Sequence, residues 1–252
     1  MQNANDLDKI EGLAAAHLKR AKALIKKVGE VCMTSLTGDK ESWIMKVKDG
    51  ANDSYTLQNY RIAGSKLCKW ANGRQCKELT IVDESDCADA HVLAFAEGMA
   101  LTNYQFLTYK TAKDLANSLE KVNIQAGLNK GQVAELSAIV SATISARDFV
   151  NEPVITLTAT EYSKRMQALG KKHGFKVEVL KKSKIEALGM GGLLGVNKGS
   201  VEPPTFNIME YKPKDAVNKA PIVLVGKGVV YDTGGYNIKT GQYVDMIEEG
   251  II

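Results

Sequence analysis

The sequence predicts an α/β protein built from two successive units, and three observations support this fold class. Segments with helical spacing of apolar residues alternate with short apolar or alternating segments along the chain. The run 110–131 is polar and has no strong period, which indicates a break between two units. A charged, glycine-rich turn follows a predicted strand at 222–225, and open α/β sheets usually build their sites at such strand ends.

The first predicted unit, residues 1–125, combines helices and short strands. Apolar residues at near-helical spacing from Leu7 to Leu24 predict the first helix. A later apolar, alanine-rich run has no breaker before Gly98 and predicts another. In chain order the predicted elements are a helix over 7–28, strands over 31–36 and 43–47, a helix over 60–70, a strand over 78–82, a helix over 88–101 and a strand around 119–124.

The second predicted unit, residues 126–252, begins with a helix over 131–149. Val133, Leu136 and Val140 lie on one face of it, and Pro153 stops it because proline disfavours helix in the residue before it. The remaining predicted elements are a helix over 160–172 capped by Thr158 or Thr160 and closed by Gly174, a strand over 176–180, a helix over 184–188, and strands over 204–211 and 221–225. The second unit is therefore α/β as well.

Composition and charge exclude several classes of protein. Hydrophobic residues make up 44% of the 252 residues and charged residues 25%, and a net charge of +4 is too small to indicate a nucleic-acid surface. The spacing of the four cysteines and three histidines gives no zinc knuckle, no histidine metal motif and no Ser-His-Asp triad. No apolar run suits a membrane span or a signal peptide. We therefore expect a cytoplasmic protein without a nucleic-acid or membrane partner.

The segment 226–239 combines two lysines and one aspartate with a glycine-rich turn. The amine of Lys227 can bind a metal only when deprotonated, and burial or a nearby dication favours that neutral form. Asp232 offers a hard oxygen donor suited to Zn²⁺, Mn²⁺ or Mg²⁺, and Lys239 is placed to polarise a carbonyl or hold an oxyanion. The same spacing also fits a plain turn, in which both lysines are solvated and Asp232 only caps the turn.

Two further features have both a functional and a structural interpretation. The glycines between 189 and 195 match neither a phosphate-binding loop nor a dinucleotide-binding motif, so we interpret them as close packing of a turn. Arg147 and Asp148 lie at a predicted helix end, and their position favours an anchor over a site.

Several segments together resemble the cytosol (leucyl) aminopeptidase family of two-metal exopeptidases. The segment 226–239 is similar to that family's signature segment, and the resemblance is specific from about residue 90 to 240. The other similar segments are 95–98 with 104–106, 147–153 (Arg-Asp-Phe-Val-Asn-Glu-Pro), and 188–200 with the following Pro203-Pro204. The resemblance implies a macro-like amino-terminal α/β domain over 1–125 and an incomplete α/β metallopeptidase domain over 126–252.

The resemblance also implies roles for individual residues. Lys227 and Asp232 match metal ligands of the family, and Lys239 matches its catalytic lysine. In the family, two divalent ions, Zn²⁺ or Mn²⁺, generate the nucleophile that removes leucine-type amino-terminal residues from peptide substrates. Its members are usually cytoplasmic and assemble as homo-hexamers.

The similarity stops at Gly250, where the family has a metal-binding aspartate. Glu248 and Glu249 precede that position and are weak substitutes for the ligand. The family's Asn-Thr-Asp-Ala-Glu-Gly-Arg segment, with two more carboxylate ligands and an arginine, is not found in the sequence. We therefore expect at most one bound ion and an inactive, shortened form of the enzyme.

Two other functions remain open. One is a non-catalytic binding or assembly protein that keeps the same scaffold, which Gly250 favours. The other is binding of a nucleotide derivative by the amino-terminal domain, but residues 1–90 contain no clear glycine-rich ligand loop.

Overall fold

The chain folds into two units in which helices and strands alternate. In the computed structural model, the described residues are 19, 22, 23, 32–37, 40–45, 47–83, 88–111 and 116–229. Contacts divide the chain into residues 1–150 and 151–252, and each described two-stranded sheet lies within one unit. The predicted domain boundary between residues 125 and 126 stays a prediction. The helix predicted over 7–28 lies almost wholly outside the described residues.

Among its described residues, the first unit contains two sheets and three long helices. Its described elements are β1 (Cys32–Thr37), β2 (Lys40–Met45), α1 (Asp53–Gly73), β3 (Glu78–Val82), α2 (Asp89–Thr102), β4 (Lys121–Gln125) and α3 (Lys130–Asn151). β1 and β2 pair antiparallel, with Thr37 opposite Lys40. β3 and β4 pair parallel, with Leu79 opposite Val122, and α2 lies in the connection between them. The elements predicted over 31–125 are all present.

The packing of α1 against α2 depends on two glycines. A Cβ atom at Gly64 would collide with the carbonyl oxygen of Phe95, and one at Gly98 would collide with the carbonyl oxygen of Arg61. Beside this contact, Arg61 Nε donates to Glu97 Oε2 at 2.7 Å. The missing side chains therefore let the two helix backbones approach closely, and the ion pair fixes their alignment.

Buried apolar side chains hold the first unit together in two clusters. Both clusters join α1 to α2, and the larger one also includes residues of β3 and of the segment before β4. Burying one large aliphatic side chain stabilises a fold by about 1.5–3 kcal/mol, so these contacts dominate the stability of the unit. The larger cluster consists of Leu67, Cys68, Ala71, Leu79, Met99 and Leu119, and the smaller one of Val47, Tyr60, Ala63 and Ala94.

The second unit has one antiparallel strand pair and three helices among its described residues. These elements are α4 (Ala159–His173), β5 (Lys176–Leu180), α5 (Lys182–Ala187), α6 (Gly191–Asn197) and β6 (Phe206–Glu210). The hydroxyl of Thr158 accepts from the amide of Glu161 and caps α4, while Gly174 ends it in a left-handed conformation with φ 77°. Both capping predictions are confirmed. β5 pairs with β6, with Val177 opposite Met209.

Two predictions for the second unit differ from the structure. The glycine-rich run forms the short helix α6, and a Cβ at its three glycines would meet no atom within 4 Å, so close packing is not their role. Residues 221–225 form no strand, and the side chains of 222–225 are 74–94% exposed. A strand needs a neighbour for its backbone hydrogen bonds, and no described strand lies beside this segment.

Within the described ranges, no helix has both the length and the apolar character that crossing a bilayer requires.

Candidate functional site

Lys227 is the predicted site residue that falls within the described part of the chain. It lies in the irregular stretch 221–229, and its side chain is exposed. A Cβ atom at Gly226 or Gly228 would meet no described atom within 4 Å, so no described element packs against the backbone on either side of the lysine. The described residues therefore do not supply the buried setting that favours a neutral, metal-binding amine.

The other predicted site residues, Asp232, Lys239, Glu248 and Glu249, lie outside the described residues. The expected placement of Lys227 and Asp232 on one side of a strand end stays a prediction. In the ranges that the structure describes, no group of three or more His, Cys, Asp or Glu side chains could hold a metal ion.

Arg147 and Asp148 anchor the end of α3, as their position in the sequence suggested. The hydroxyl of Tyr104 donates to Asp148 Oδ1 at 2.8 Å. The guanidinium of Arg147 donates to the carbonyl oxygen of Leu101 and lies 5.5 Å from the centre of the Tyr104 ring. We call Tyr104, Arg147 and Asp148 the helix latch, because they join the end of α3 to the residues at and after the end of α2.

The helix latch brings together two of the segments that carry the family resemblance, 104–106 and 147–153. The neighbouring Gln105 accepts a hydrogen bond from the amide of Asn117 at 2.6 Å, which joins it to the segment before β4. Glu97, from a third such segment, pairs with Arg61. In the first unit these family-like residues therefore hold helix ends and crossings in place.

Glu152 has a similar structural role in the second unit. Its carboxylate is only 10% exposed and accepts from Arg165 Nη1 at 3.1 Å. Arg165 Nε also lies 3.7 Å from Glu161 Oε1. A nearly buried carboxylate needs such a partner, so this pair fixes the segment after α3 on the face of α4.

A cluster of amide side chains in the first unit was not predicted from the sequence. Asn72 Nδ2 donates to Asn103 Oδ1 at 2.9 Å, and Asn72 Oδ1 accepts from the amide of Leu119 at 2.9 Å. Asn103 Nδ2 donates to the carbonyl oxygen of Leu119 at 2.7 Å. We call Asn72 and Asn103 the amide cluster, because together they join α1, the end of α2 and the segment before β4.

Cys68 lies beside the amide cluster and is fully buried. Its Sγ lies 3.5 Å from Asn72 Nδ2. Burial raises the pKa of the Cys68 thiol, although the hydrogen bond from Asn72 acts in the opposite direction. The protonated, unreactive thiol is therefore favoured, which is typical of a packing cysteine.

Two sequence models of one family match the chain. Residues 2–113 match the N-terminal domain of the cytosol aminopeptidase family, and residues 144–250 match the catalytic domain of that family. The matches together extend through both units.

Relatives with the same description are found in several bacteria. The probable cytosol aminopeptidase of Exiguobacterium sibiricum is 36% identical over 214 residues, which cover 84% of this chain and 44% of the relative. The probable cytosol aminopeptidase of Bacillus licheniformis is 35% identical over 230 residues, which cover 85% of this chain and 45% of the relative. The probable cytosol aminopeptidase of Chloroherpeton thalassium is 56% identical over 101 residues, which cover 40% of this chain and 20% of the relative. The chain thus spans less than half the length of the relatives it matches.

Solved structures of similar fold are found as well. A mutant of tomato leucine aminopeptidase gives a TM-score of 0.74 at 17% identity, covering 92% of this chain and 50% of that one, which shows likeness of fold. The bottromycin maturation enzyme BotP in complex with Mn gives a TM-score of 0.63 at 27% identity. The match covers 81% of this chain and 44% of the BotP chain.

Proposed function

We propose, because the chain belongs to the cytosol aminopeptidase family, that it forms part of a metal-dependent enzyme that removes leucine-type amino-terminal residues from peptides. The observation that carries this proposal is that family similarity extends over residues 2–113 and 144–250. The predicted fold class is confirmed, because a mixed α/β chain contains the family's amino-terminal domain and part of its catalytic domain.

The proposed site consists of three residues of the segment 226–239. Lys227 and Asp232 would bind a divalent cation, which supplies activation of water and polarisation of the peptide carbonyl when it is bound. The ammonium of Lys239 would stabilise the negative charge that develops on the carbonyl oxygen. Support for a divalent cation comes from BotP, which was solved in complex with Mn and is 27% identical to this chain.

We further propose that the 252-residue polypeptide binds at most one ion and does not turn over peptides. Gly250 offers no side-chain donor, and Asp232 is the one carboxylate that matches a family ligand. Glu248 and Glu249 are neighbours of the changed position and would be poor substitutes. One amine and one carboxylate cannot balance the charge of two dications.

Titration of the purified chain with Mn²⁺, followed by calorimetry, tests the metal proposal. We expect no more than one ion per chain, and we expect Asp232→Ala to weaken binding at least tenfold. Asp215→Ala is the matched control, because Asp215 is an exposed aspartate outside the proposed site. Two tightly bound ions per chain, or undiminished binding by Asp232→Ala, would count against these assignments.

The setting of the enzyme is part of the same proposal. The relatives are named cytosol aminopeptidases, which favours a cytoplasmic enzyme acting on peptides. We propose a homo-oligomer, a hexamer as in the family. Light scattering on the purified protein would test this, and a monomer at micromolar concentration would contradict it.

A further inference from the structure

Asn72 and Gly73 form the single Asn-Gly pair of the sequence, and they lie at the carboxyl end of α1. An asparagine followed by glycine is especially prone to deamidation, because glycine has no side chain to shield its backbone nitrogen. Asn72 is also the centre of the amide cluster. A chemically labile residue therefore occupies a position on which the packing of the first unit depends.

Deamidation of this pair needs only water and a base that accepts a proton. The backbone nitrogen of Gly73 loses its proton and forms a bond to Cγ of Asn72. The bond from Cγ to Nδ2 breaks, and the amide nitrogen takes up a proton and leaves as ammonia. The resulting succinimide ring adds one water molecule, which opens one of its two carbon–nitrogen bonds. The products are aspartate, or isoaspartate in which the backbone continues through the side-chain carbon.

The folded chain protects Asn72 from this reaction. Its Nδ2 donates to Asn103 Oδ1 at 2.9 Å and to the carbonyl oxygen of Cys68 at 3.1 Å. Its Oδ1 accepts from the amide of Leu119 at 2.9 Å. Gly73 is the last residue of α1, so its backbone is held in the helix. The side chain can turn toward the Gly73 nitrogen only if these hydrogen bonds break together, which requires local unfolding.

The same hydrogen bonds exclude the product of deamidation from the fold. Asn72 Oδ1 faces a donor, whereas Nδ2 faces two acceptors, the carbonyl oxygen of Cys68 and Asn103 Oδ1. Asn103 cannot turn its own Nδ2 toward Asn72, because that nitrogen donates to the carbonyl oxygen of Leu119 at 2.7 Å. A carboxylate has two acceptor oxygens, so one of them would face two acceptors in a partly buried setting.

We infer that Asn72-Gly73 is a deamidation site that the amide cluster protects in the folded chain, and that its modification in the unfolded chain prevents refolding. Unfolding frees the pair to react with its own backbone and with water. The product no longer fits the amide cluster, so prolonged unfolding becomes irreversible through one covalent change. The inference concerns the lifetime of the fold and does not depend on the proposed activity.

Timed unfolding of the purified 252-residue chain tests the inference. The chain is kept at pH 8, either folded in buffer or unfolded in guanidinium chloride, and peptide mass spectrometry measures the conversion of Asn72. We expect conversion at least tenfold faster in the unfolded chain. The fraction that refolds on dilution, measured by circular dichroism, should fall as conversion proceeds.

Gly73→Ala separates this reaction from other damage to the unfolded chain. The methyl group shields the backbone nitrogen, and in the fold a Cβ atom at Gly73 would meet no described atom within 4 Å. When unfolded, this variant should convert at least tenfold more slowly than the unaltered chain and should keep its ability to refold.

Asn72→Asp places the product in the fold directly. We expect this variant to unfold at a lower concentration of guanidinium chloride than the unaltered chain, or not to fold. Asn59→Asp is the control, at an amide with one exposed hydrogen bond to the carbonyl of Lys48, and should match the unaltered chain. Three results would overturn the inference: equal conversion in the folded and unfolded chains, unchanged stability of Asn72→Asp, or equally fast loss of refolding by Gly73→Ala.

Discussion

The hydroxyl of Tyr104 donates a 2.8 Å hydrogen bond to the carboxylate of Asp148, 44 residues further along the chain. Arg147 adds a bond to the carbonyl of Leu101 and stacks near the Tyr104 ring. The residues after α2 and the end of α3 are therefore held together by a charged acceptor and a cation. Both partners come from segments that resemble the family, so part of that resemblance reflects stability and not chemistry.

Tyr104→Phe removes the hydroxyl of the helix latch and keeps the ring. We expect the free energy of unfolding to fall by about 1–2 kcal/mol, because a partly buried carboxylate loses a donor. Urea denaturation of the variant measures this change. Tyr55→Phe removes a hydroxyl from an exposed tyrosine and should change the stability by less than about 0.5 kcal/mol. Equal effects of the two variants would show that the latch adds no stability.

Gly64→Ala and Gly98→Ala place a methyl group at the contact between α1 and α2. Each new Cβ would meet a backbone carbonyl, which cannot move like a flexible side chain, so we expect a loss of about 1–3 kcal/mol or more. Gly73→Ala is the matched control, because Gly73 ends α1 and a Cβ atom there would meet no atom within 4 Å. Thermal melts should show a lower Tm for the first two variants and an unchanged or higher Tm for the third.

Asn72→Ala removes the centre of the amide cluster. We expect a loss of about 2–3 kcal/mol, because the amide of Leu119 and the side chain of Asn103 both lose their partner in a partly buried setting. Asn59→Ala removes one exposed hydrogen bond, to the carbonyl of Lys48, and should cost less than about 1 kcal/mol. If the Asn72→Ala and Asn59→Ala variants unfold at the same urea midpoint, the cooperative role of Asn72 is contradicted.

Cys68 should be far less reactive than Cys76. Burial excludes reagents from Cys68 and raises the pKa of its thiol, whereas Cys76 is partly exposed. Iodoacetamide labelling at pH 8, followed by peptide mass spectrometry, should modify Cys68 at least tenfold more slowly in the native protein. In urea the two rates should converge. Similar rates in the native protein would contradict the buried position of Cys68.

Local patterns predicted most of the fold, and the limits of the prediction have physical causes. β3 and β5 begin and end at the predicted residues, since the apolar run in β3 and the alternating pattern in β5 each end at a polar residue. The apolar pattern predicts a helix from residue 60, whereas α1 begins at Asp53, because the first turn of α1 is polar and exposed apart from Thr56. The amide of Tyr55 donates to the side chain of Asn52, and this cap was the signal that could have located the start.

The apolar segment 222–225 shows a different limit of local patterns. Its composition predicts a strand, but a strand also depends on a neighbouring strand, and residues 222–225 have none among the described elements.

The candidate site was likewise predictable only in part. Spacing and resemblance identified Lys227 as a candidate, whereas the pairing of Tyr104 with Asp148 depends on tertiary contacts that no local pattern contains.

Release of leucine from a leucyl anilide, with Mn²⁺ supplied, is the most direct test of the proposed function. We predict no chelator-sensitive release by the 252-residue chain. A chimera with Gly250→Asp, extended with the carboxyl-terminal half of the Exiguobacterium sibiricum relative, should release leucine. Lys227→Ala or Asp232→Ala in the chimera should abolish that release, because each removes a proposed metal ligand. Lys219→Ala, at a nearby exposed lysine, should not affect it. Chelator-sensitive turnover by the 252-residue chain alone, or full activity of the Lys227→Ala chimera, would contradict the account.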